Sequence, residues 1–397
     1  MVRNGYMNRF SEIRYRNEII SEILVGKKVV WPEFGEIEII IDQNEKDPDK
    51  IVQISEISDV DNFLLWFYNN SLNVLGKYVG DYKNGTGKLL VCPWIDTPVQ
   101  RAPAQGGNMY RYFNGHISKW GDHNVGRNSA GDELIFPAEI YYKSEQIDEE
   151  RYQIIFSQFD FSGAHKAFNG VAIGRQCCSS FWTNSDGNLV FGSNTSFGDC
   201  NHQEGSVIKE RARNRGINYS MMNIDYRNIY TFLDILYSRS TKLKGTNYTG
   251  LTNQDTINRD LFNIISINYD RREFVDNVII NDYVAEVTHD DGVVEYLEIP
   301  RKHGNVSKLH IGEYLNIIPK ELDASGYYDG FCGWVWTGNK ENIVPVIGCE
   351  NNNRGTRMLD MGLDGNPDSS QSSRIMYKGN VEICLDPEYF DDIPVLN

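Results

Sequence analysis

The sequence predicts an α+β fold with more strand than helix, and three observations carry that prediction. Short apolar runs such as LIFPAEIYY and RYQIIFSQF alternate with the two-residue period of a half-buried strand. YVAEVT and VVEYLEI flank HDDG, where the Asp-Gly pair supplies the positive φ of a tight hairpin turn. Between them lie two helix patterns with recognisable ends: Ser206 precedes VIKERARN and Gly216 follows it, and Asn223 caps a segment whose Ile229, Phe232, Leu233 and Leu236 fall at i, i+3, i+4 and i+7.

Taken in order, the first elements are a helix near Ile13 to Leu24, strands in EIEIII and KIVQISEI, an apolar helix NFLLWFYNN and a strand KLLVC. The Pro, Gly and Gln-rich DTPVQRAPAQGGN, Asp96 to Asn108, reads as a linker. It places a domain boundary at residue 104, so residues 1–104 form a small α+β domain for attachment or oligomerisation and residues 105–397 a second domain. Beyond the helices the chain becomes loop-heavy: SGYYDG, WTGNKEN, ENNNRGT and LDGNPDSSQSS separate short apolar runs. Long irregular loops are uncommon in compact domains and often functional where they occur.

Bulk properties narrow the function. The chain has 397 residues and a net charge of −16, with 39 Lys and Arg against 55 Asp and Glu. A protein that tracks phosphates draws its affinity from clustered basic groups, so nucleic acid is not an expected partner, and anionic membrane surfaces are disfavoured for the same reason. No apolar run reaches the length of a membrane span, and MVRNGYMNRFSEIRYRNEII has no apolar core for a secretory signal. The expected product is made in the cytoplasm without a signal peptide and leaves, if at all, within an assembled particle. The seven cysteines are scattered with no C-x-x-C pair, the pattern of reduced structural thiols.

Candidate chemistry is thin. GDYKNGTGKLL fails as a phosphate loop, because Tyr82 and Leu89 stand where a glycine and a hydroxyl residue are required. His116 and His123 flank Trp120 at a spacing that fits no metal motif, and His165, His202, His289, His303 and His310 are isolated in sequence. No nucleophile signature is present. The chain is therefore expected to be no enzyme, with no catalytic residue, no metal and no cofactor.

The stretch YYDGFCGWVWTGNKENIVPVIGCENNNRG combines a scaffold with a polar surface. Its tryptophans and IVPVIG call for a core, whereas its asparagines and Arg354 call for water or a ligand. Asparagine offers donor and acceptor together, and Trp and Arg supply hot-spot area. The expected binding residues are Trp336, Asn339, Asn351, Asn352, Asn353, Arg354, Arg357, Asp368, Ser369, Ser370 and Gln371. As solvated turn residues, each also has a bland reading.

Five pieces in order, FPAEIYYK, SGAHKAFNGVAIGRQCCSSFW, KERARNRGINYSMMNIDYRNIYTFLDILYSRSTKL, GYYDGFCGWVWTGNKENIVPVIGCENNNRG and DMGLDGNPDSSQSSRIMYKG, span Trp120 to Cys384. Together they resemble bacteriophage tail and virion proteins with a C-type-lectin-like fold of the formylglycine-generating-enzyme type. Cys332 and Cys349 lack the close spacing of that enzyme's cysteine pair, and the Trp-Asn-Asp of calcium-dependent lectins is absent. Neither oxidase activity nor calcium binding is carried over. The resemblance implies a loop-rich recognition domain of a tail or fibre protein, binding a bacterial surface glycan or protein receptor through its C-terminal loops. Other virion proteins would be its neighbours, and a homo-oligomer, a trimer, its assembled form in the virion. The alternative it implies is a structural adaptor, collar or head-fibre protein docking onto other capsid or tail proteins.

Overall fold

The structure, a computed structural model, describes residues 14–15, 18–19, 23–25, 28–31, 36–45, 47, 49–54, 57–81, 86–96, 109–113, 117–119, 132–175, 182–183, 189–190, 205–214, 218–240, 260–261, 264–265, 272–301, 304–323, 334–336, 346–347, 363–364 and 371–393. Over these it is a mixed α+β protein, mostly strands in several sheets with few helices. No described helix is long and apolar enough to cross a membrane.

The principal elements are β1 Ile37–Asp42, β2 Val52–Ile54, α1 Ile57–Asn70, β3 Leu72–Val79, β4 Lys88–Asp96, β5 Met109–Tyr112, β6 Ile117–Lys119, β7 Asp132–Phe136, β8 Ile140–Gln146, β9 Arg151–Ser157, β10 His165–Ala167, β11 Val171–Gly174, α2 Gly205–Asn214, β12 Tyr219–Met221 and α3 Ile224–Ser238. They continue as β13 Arg272–Phe274, β14 Val278–Asn281, β15 Val284–Thr288, β16 Val294–Glu298, β17 Gly304–Ile311, β18 Ile317–Asp323, β19 Trp334–Trp336, β20 Val346–Ile347, β21 Leu363–Asp364, β22 Gln371–Ser373, β23 Ile375–Lys378, β24 Val381–Ile383 and α4 Pro387–Asp392.

A large sheet has the order β6-β5-β4-β3-β7-β11-β23-β12, with β24 pairing in parallel along β4. Strand alternation gives it two different faces. Val74, Tyr78, Leu89, Val91, Leu134, Ala172, Ile375 and Tyr377 pack on one side against Ile208 and Ala212 of α2. On the other side, Leu75, Leu90, Cys92 and Trp94 meet Phe390 of α4. Farther along that same side, Ile135, Ile173 and Met376 join the main core with α1, α3 and the five-stranded sheet β10-β8-β9-β1-β2.

Each helix has a local cause. In α1, Val60, Phe63, Leu64 and Phe67 are buried at i, i+3, i+4 and i+7, while Leu65 and Tyr68 stay exposed. Asn223 begins α3 with its side chain accepting from the Tyr226 N–H, and Arg239 ends it in the left-handed region at φ 54°. The predicted stripe Ile229, Phe232, Leu233 and Leu236 is buried, but so are Arg227, Asn228, Thr231 and Asp234. α3 is thus enclosed along almost its whole length, Tyr237 near its end being exposed, and carries its polar groups inside the protein.

Two expectations are corrected. In place of a helix from Ile13 to Leu24, short strands at Arg14–Tyr15 and Glu18–Ile19 pair with one another, and Ile23–Val25 pairs with Lys28–Trp31. The β-branched Ile19, Ile23 and Val25 lose χ1 freedom in a helix and pack better on a pleated surface. The break at residue 104 also fails to separate two cores. β3 pairs with β7 from Leu72↔Phe136 to Gly76↔Asp132, and β1 pairs with β9 from Ile37↔Phe156 to Asp42↔Arg151. Residues from Ile37 to Phe67 share one hydrophobic cluster with residues from Ile135 to Met376. Proline and glycine mark a break in regular structure, and here that break joins strands of one sheet.

The Asn84-Gly85 pair that follows β3 lies outside the described residues. Gly80 has φ +117°, and a Cβ there would come within 2.6 Å of the Gly87 Cα, so the strands β3 and β4 can close only with glycine at this point. The Asp-Gly hairpin also forms: β15 pairs with β16, and Gly292 has φ +86°.

Candidate functional site

The predicted binding residues begin and end on strands that the fold gathers together. Trp336 closes β19, where it pairs in parallel with Asp364 of β21. Gln371 opens β22, where it pairs in parallel with Arg272 of β13. Asn339, Asn351, Asn352, Asn353, Arg354, Arg357, Asp368, Ser369 and Ser370 lie outside the described residues. Between these anchors, Ile347 of β20 pairs with Glu273 from one side of β13 while Ser372 of β22 pairs with it from the other. β20 and β21 adjoin, so the sheet β18-β17-β19-β21 meets the sheet β20-β13-β22 at their short strands. The chain therefore returns to these adjoining strands after residues 337–345, after 348–362 and after 365–370.

The base these strands form is held by buried charge. Glu273 is 1% exposed and Arg374, the residue after β22, is 0% exposed. Arg374 donates from Nη2 to Glu273 Oε1 at 2.9 Å and from Nη1 to the carbonyls of Gly174 and Arg175, both at 2.7 Å. Arg227 of α3 approaches the same carboxylate at 3.7 Å and donates to Thr231 Oγ1 at 2.6 Å. One carboxylate thus joins β13, the end of β11, β23 and α3. Charges this deep are tolerated because each meets an opposite charge or a carbonyl oxygen. Lys209 of α2 adds a bridge to Asp276, just beyond β13, at 2.6 Å.

Next to this base sits a second polar cluster, at the tip of the β15–β16 hairpin. His289 is 3% exposed, with Nδ1 3.2 Å from Asp225 Oδ2 and Nε2 3.1 Å from Glu295 Oε2. Asn277 Nδ2 donates to the same Asp225 oxygen at 3.2 Å and to the Thr288 carbonyl at 3.0 Å, while its Oδ1 accepts from the Ile224 N–H at 2.8 Å. Asn316 donates to Glu295 at 2.6 Å. Tyr314 stacks on the His289 ring at 3.8 Å and 11°, and His165 lies 4.3 Å from Tyr314. The Tyr314 hydroxyl donates to Asp291 at 2.7 Å, and the Tyr226 hydroxyl makes a short bond to Asp290.

Burial alone favours a neutral His289 ring, but the hydrogen bonds and charges of Asp225 and Glu295 overcome it and raise the pKa to about 9. Its hydrogen bond with His289 holds the Glu295 carboxyl below its ordinary range. Burial pushes the Asp225 carboxyl up, against the pull of the imidazolium. Backbone donation from Val293 and the Tyr314 hydroxyl hold Asp291 low. At neutral pH the ring is charged and both nitrogens donate, so it offers no lone pair for proton abstraction or for a metal. Among the described residues no group of three or more His, Cys, Asp or Glu side chains is arranged to hold a metal ion. What this cluster does chemically is lock a hairpin onto the first turn of α3.

The cluster leaves little local trace in the sequence. His289 is isolated in sequence, and HDDG signals only a turn, while Asp225 lies in a capped helix far upstream. The one legible hint is the hairpin itself, whose register sets Val287 opposite Glu295 and so brings that carboxylate back to the turn.

No protein-family model matches the chain, and neither the curated proteins nor the solved structures return a match.

Proposed function

We propose that the chain is a bacteriophage virion protein of the tail or a fibre, and that it binds a structure on the bacterial surface through the loops between Trp336 and Gln371. The observation that carries this reading is the repeated return of the chain to β19, β20, β21 and β22, which fixes the ends of residues 337–345, 348–362 and 365–370 on short strands of two adjoining sheets. Pinned ends let loop side chains vary without disturbing the frame, which suits recognition better than packing. The loops contribute asparagine, tryptophan and arginine, residue types suited to adaptable hydrogen bonding and to hot spots.

The finer fold proposed is C-type-lectin-like, of the formylglycine-generating-enzyme type. In its support, segments of four of the five resembling pieces become neighbours in space: β8 pairs with β10, and β23 lies between β11 and β12. Met221 and Met222, in the step between α2 and α3, are both buried. No catalytic role, metal or cofactor is part of the proposal. A trimer would multiply weak loop contacts, since avidity can exceed single-site affinity by roughly 10² or more.

The test is competition. Soluble protein added before infection is expected to reduce phage adsorption to host cells in a dose-dependent way. Tight binding to a purified capsid or tail protein, with adsorption unaffected, would replace this reading by the adaptor. Analytical ultracentrifugation that finds only monomer at micromolar concentration would remove the trimer.

A further inference from the structure

β24 runs parallel to β4 with Val381↔Leu89, Glu382↔Leu90 and Ile383↔Val91. One step farther in this register, Cys384 comes beside Cys92, and the Cys384 N–H bonds the Val91 carbonyl at 2.8 Å. Neighbouring strands lie about 4.8 Å apart, inside the Cα separation of about 4.4–6.8 Å that disulfides span. Side chains paired across two strands leave the sheet on the same face. Both thiols do so here, in one cluster with Leu75, Leu90, Trp94, Tyr112 and Phe390. Cys92 is 1% exposed, Cys384 is 8% exposed, and both are free thiols.

We infer that Cys92 and Cys384 form a dithiol that closes to an intramolecular disulfide in an oxidising medium, stapling the C-terminal strand β24 and helix α4 to the large sheet. The inference stands on register and burial and is independent of the function proposed for the loops. It goes beyond the expectation of inert packing thiols, because two such thiols at matched positions of adjacent strands are joined by geometry as well as by burial.

The oxidant is a small-molecule disulfide such as oxidised glutathione. The more accessible Cys384, as thiolate, attacks one glutathione sulfur; a new S–S bond forms, the glutathione disulfide bond breaks and one glutathione thiolate leaves. Cys92, losing its proton to solvent, then attacks the Cys384 sulfur and expels the second glutathione. The protein loses two hydrogens and two electrons, and one disulfide becomes two thiols. Burial, followed by the nearby Cys384, pushes the Cys92 thiol up to about 12, so its thiolate is scarce at neutral pH. Closure is therefore slow at pH 7 and faster at pH 9.

The experiment uses the full chain, incubated with oxidised glutathione at pH 7 and pH 9, then unfolded, alkylated, digested without reductant and analysed by mass spectrometry. The expected result is a peptide pair joining Cys92 to Cys384, formed faster at pH 9, together with a rise of about 5 °C in the unfolding midpoint. That rise should vanish in Cys384→Ala and in Cys92→Ala. Recovery of both cysteines as alkylated thiols or as separate glutathione adducts would overturn the inference. So would pairing of either one with another cysteine of the chain. Because the linkage is read on the wild-type protein, a poorly folding variant leaves the test intact.

Discussion

Two buried ionic clusters bolt strands onto α3, and they differ in one respect. Around Glu273 the cations are Arg227 and Arg374, which keep their charge at any pH the protein survives. At the hairpin tip the cation is His289, whose charge depends on Asp225 and Glu295 and is lost above a pKa of about 9. The first cluster is built on β13, the strand that β20 and β22 pair with, while the second holds a neighbouring hairpin. The comparison teaches that the base of the proposed display surface is held by cations that do not titrate, and that its flank is held by one that does.

The largest effect should follow from breaking the first cluster. Glu273→Gln leaves Arg374 and Arg227 buried without their carboxylate and is expected to cost about 3–5 kcal/mol, read as a lower denaturant midpoint at unchanged slope. A midpoint within error of wild type would show that the carbonyls of Gly174 and Arg175 and the Thr231 hydroxyl suffice for the two arginines.

Next comes the titrating cluster. A histidine whose folded pKa lies above the unfolded 6.5 contributes its full stabilisation below pH 6.5 and loses it as pH rises through about 9. The contribution is on the order of 3 kcal/mol. Thermal unfolding between pH 6 and pH 10 should therefore show an alkaline fall in the wild type that His289→Gln lacks. Glu295 works in the opposite sense: held low, it contributes above its unfolded pKa and loses that contribution as pH falls through its folded one. An alkaline limb equally steep in the variant would assign the fall to other groups.

Lys77→Met tests a region remote from both clusters. Lys77 is buried on β3 and donates to the carbonyls of Phe390, Asp391 and Ile393 at 2.7, 3.2 and 2.8 Å, so it closes the C-terminal end of α4. Its loss is expected to cost about 2 kcal/mol and to raise amide exchange in α4 selectively. Uniform exchange across the protein would contradict that local role. The smallest effect belongs to Asp61→Asn. Its pair with Arg239, whose Nη2 donates to both carboxylate oxygens at 2.9 Å, links α1 to the end of α3 in solvent, and the midpoint should stay within error of wild type.

Local signals in the sequence account for much of the described fold. The strands at Ile37–Asp42 and Arg151–Ser157, the helices α1 and α3 and the Asp-Gly hairpin follow from periodicity, a cap and a turn, each a property of adjacent residues. The N-terminal strand pairs escaped because Ile13 to Leu24 has an apolar spacing compatible with either state, and pairing partners decide between them. The two clusters escaped for a related reason. Arg374 meets Glu273, and His289 meets Asp225, across long separations in sequence that no local pattern encodes. For the candidate site, composition pointed to the loops, whereas the pairing of Trp336 with Asp364 that closes their base is a fact of register.

The central claim is that a fixed base carries loops whose side chains are spent on a partner. Its most direct test is the combined replacement of Asn351, Asn352, Asn353 and Arg354 by alanine, with thermal unfolding and adsorption competition measured on the same preparation. The account predicts an unfolding midpoint within about 1 °C of wild type and a loss of competition of at least about tenfold. A clear fall in the midpoint with competition unchanged would contradict it, because those side chains would then be serving the fold.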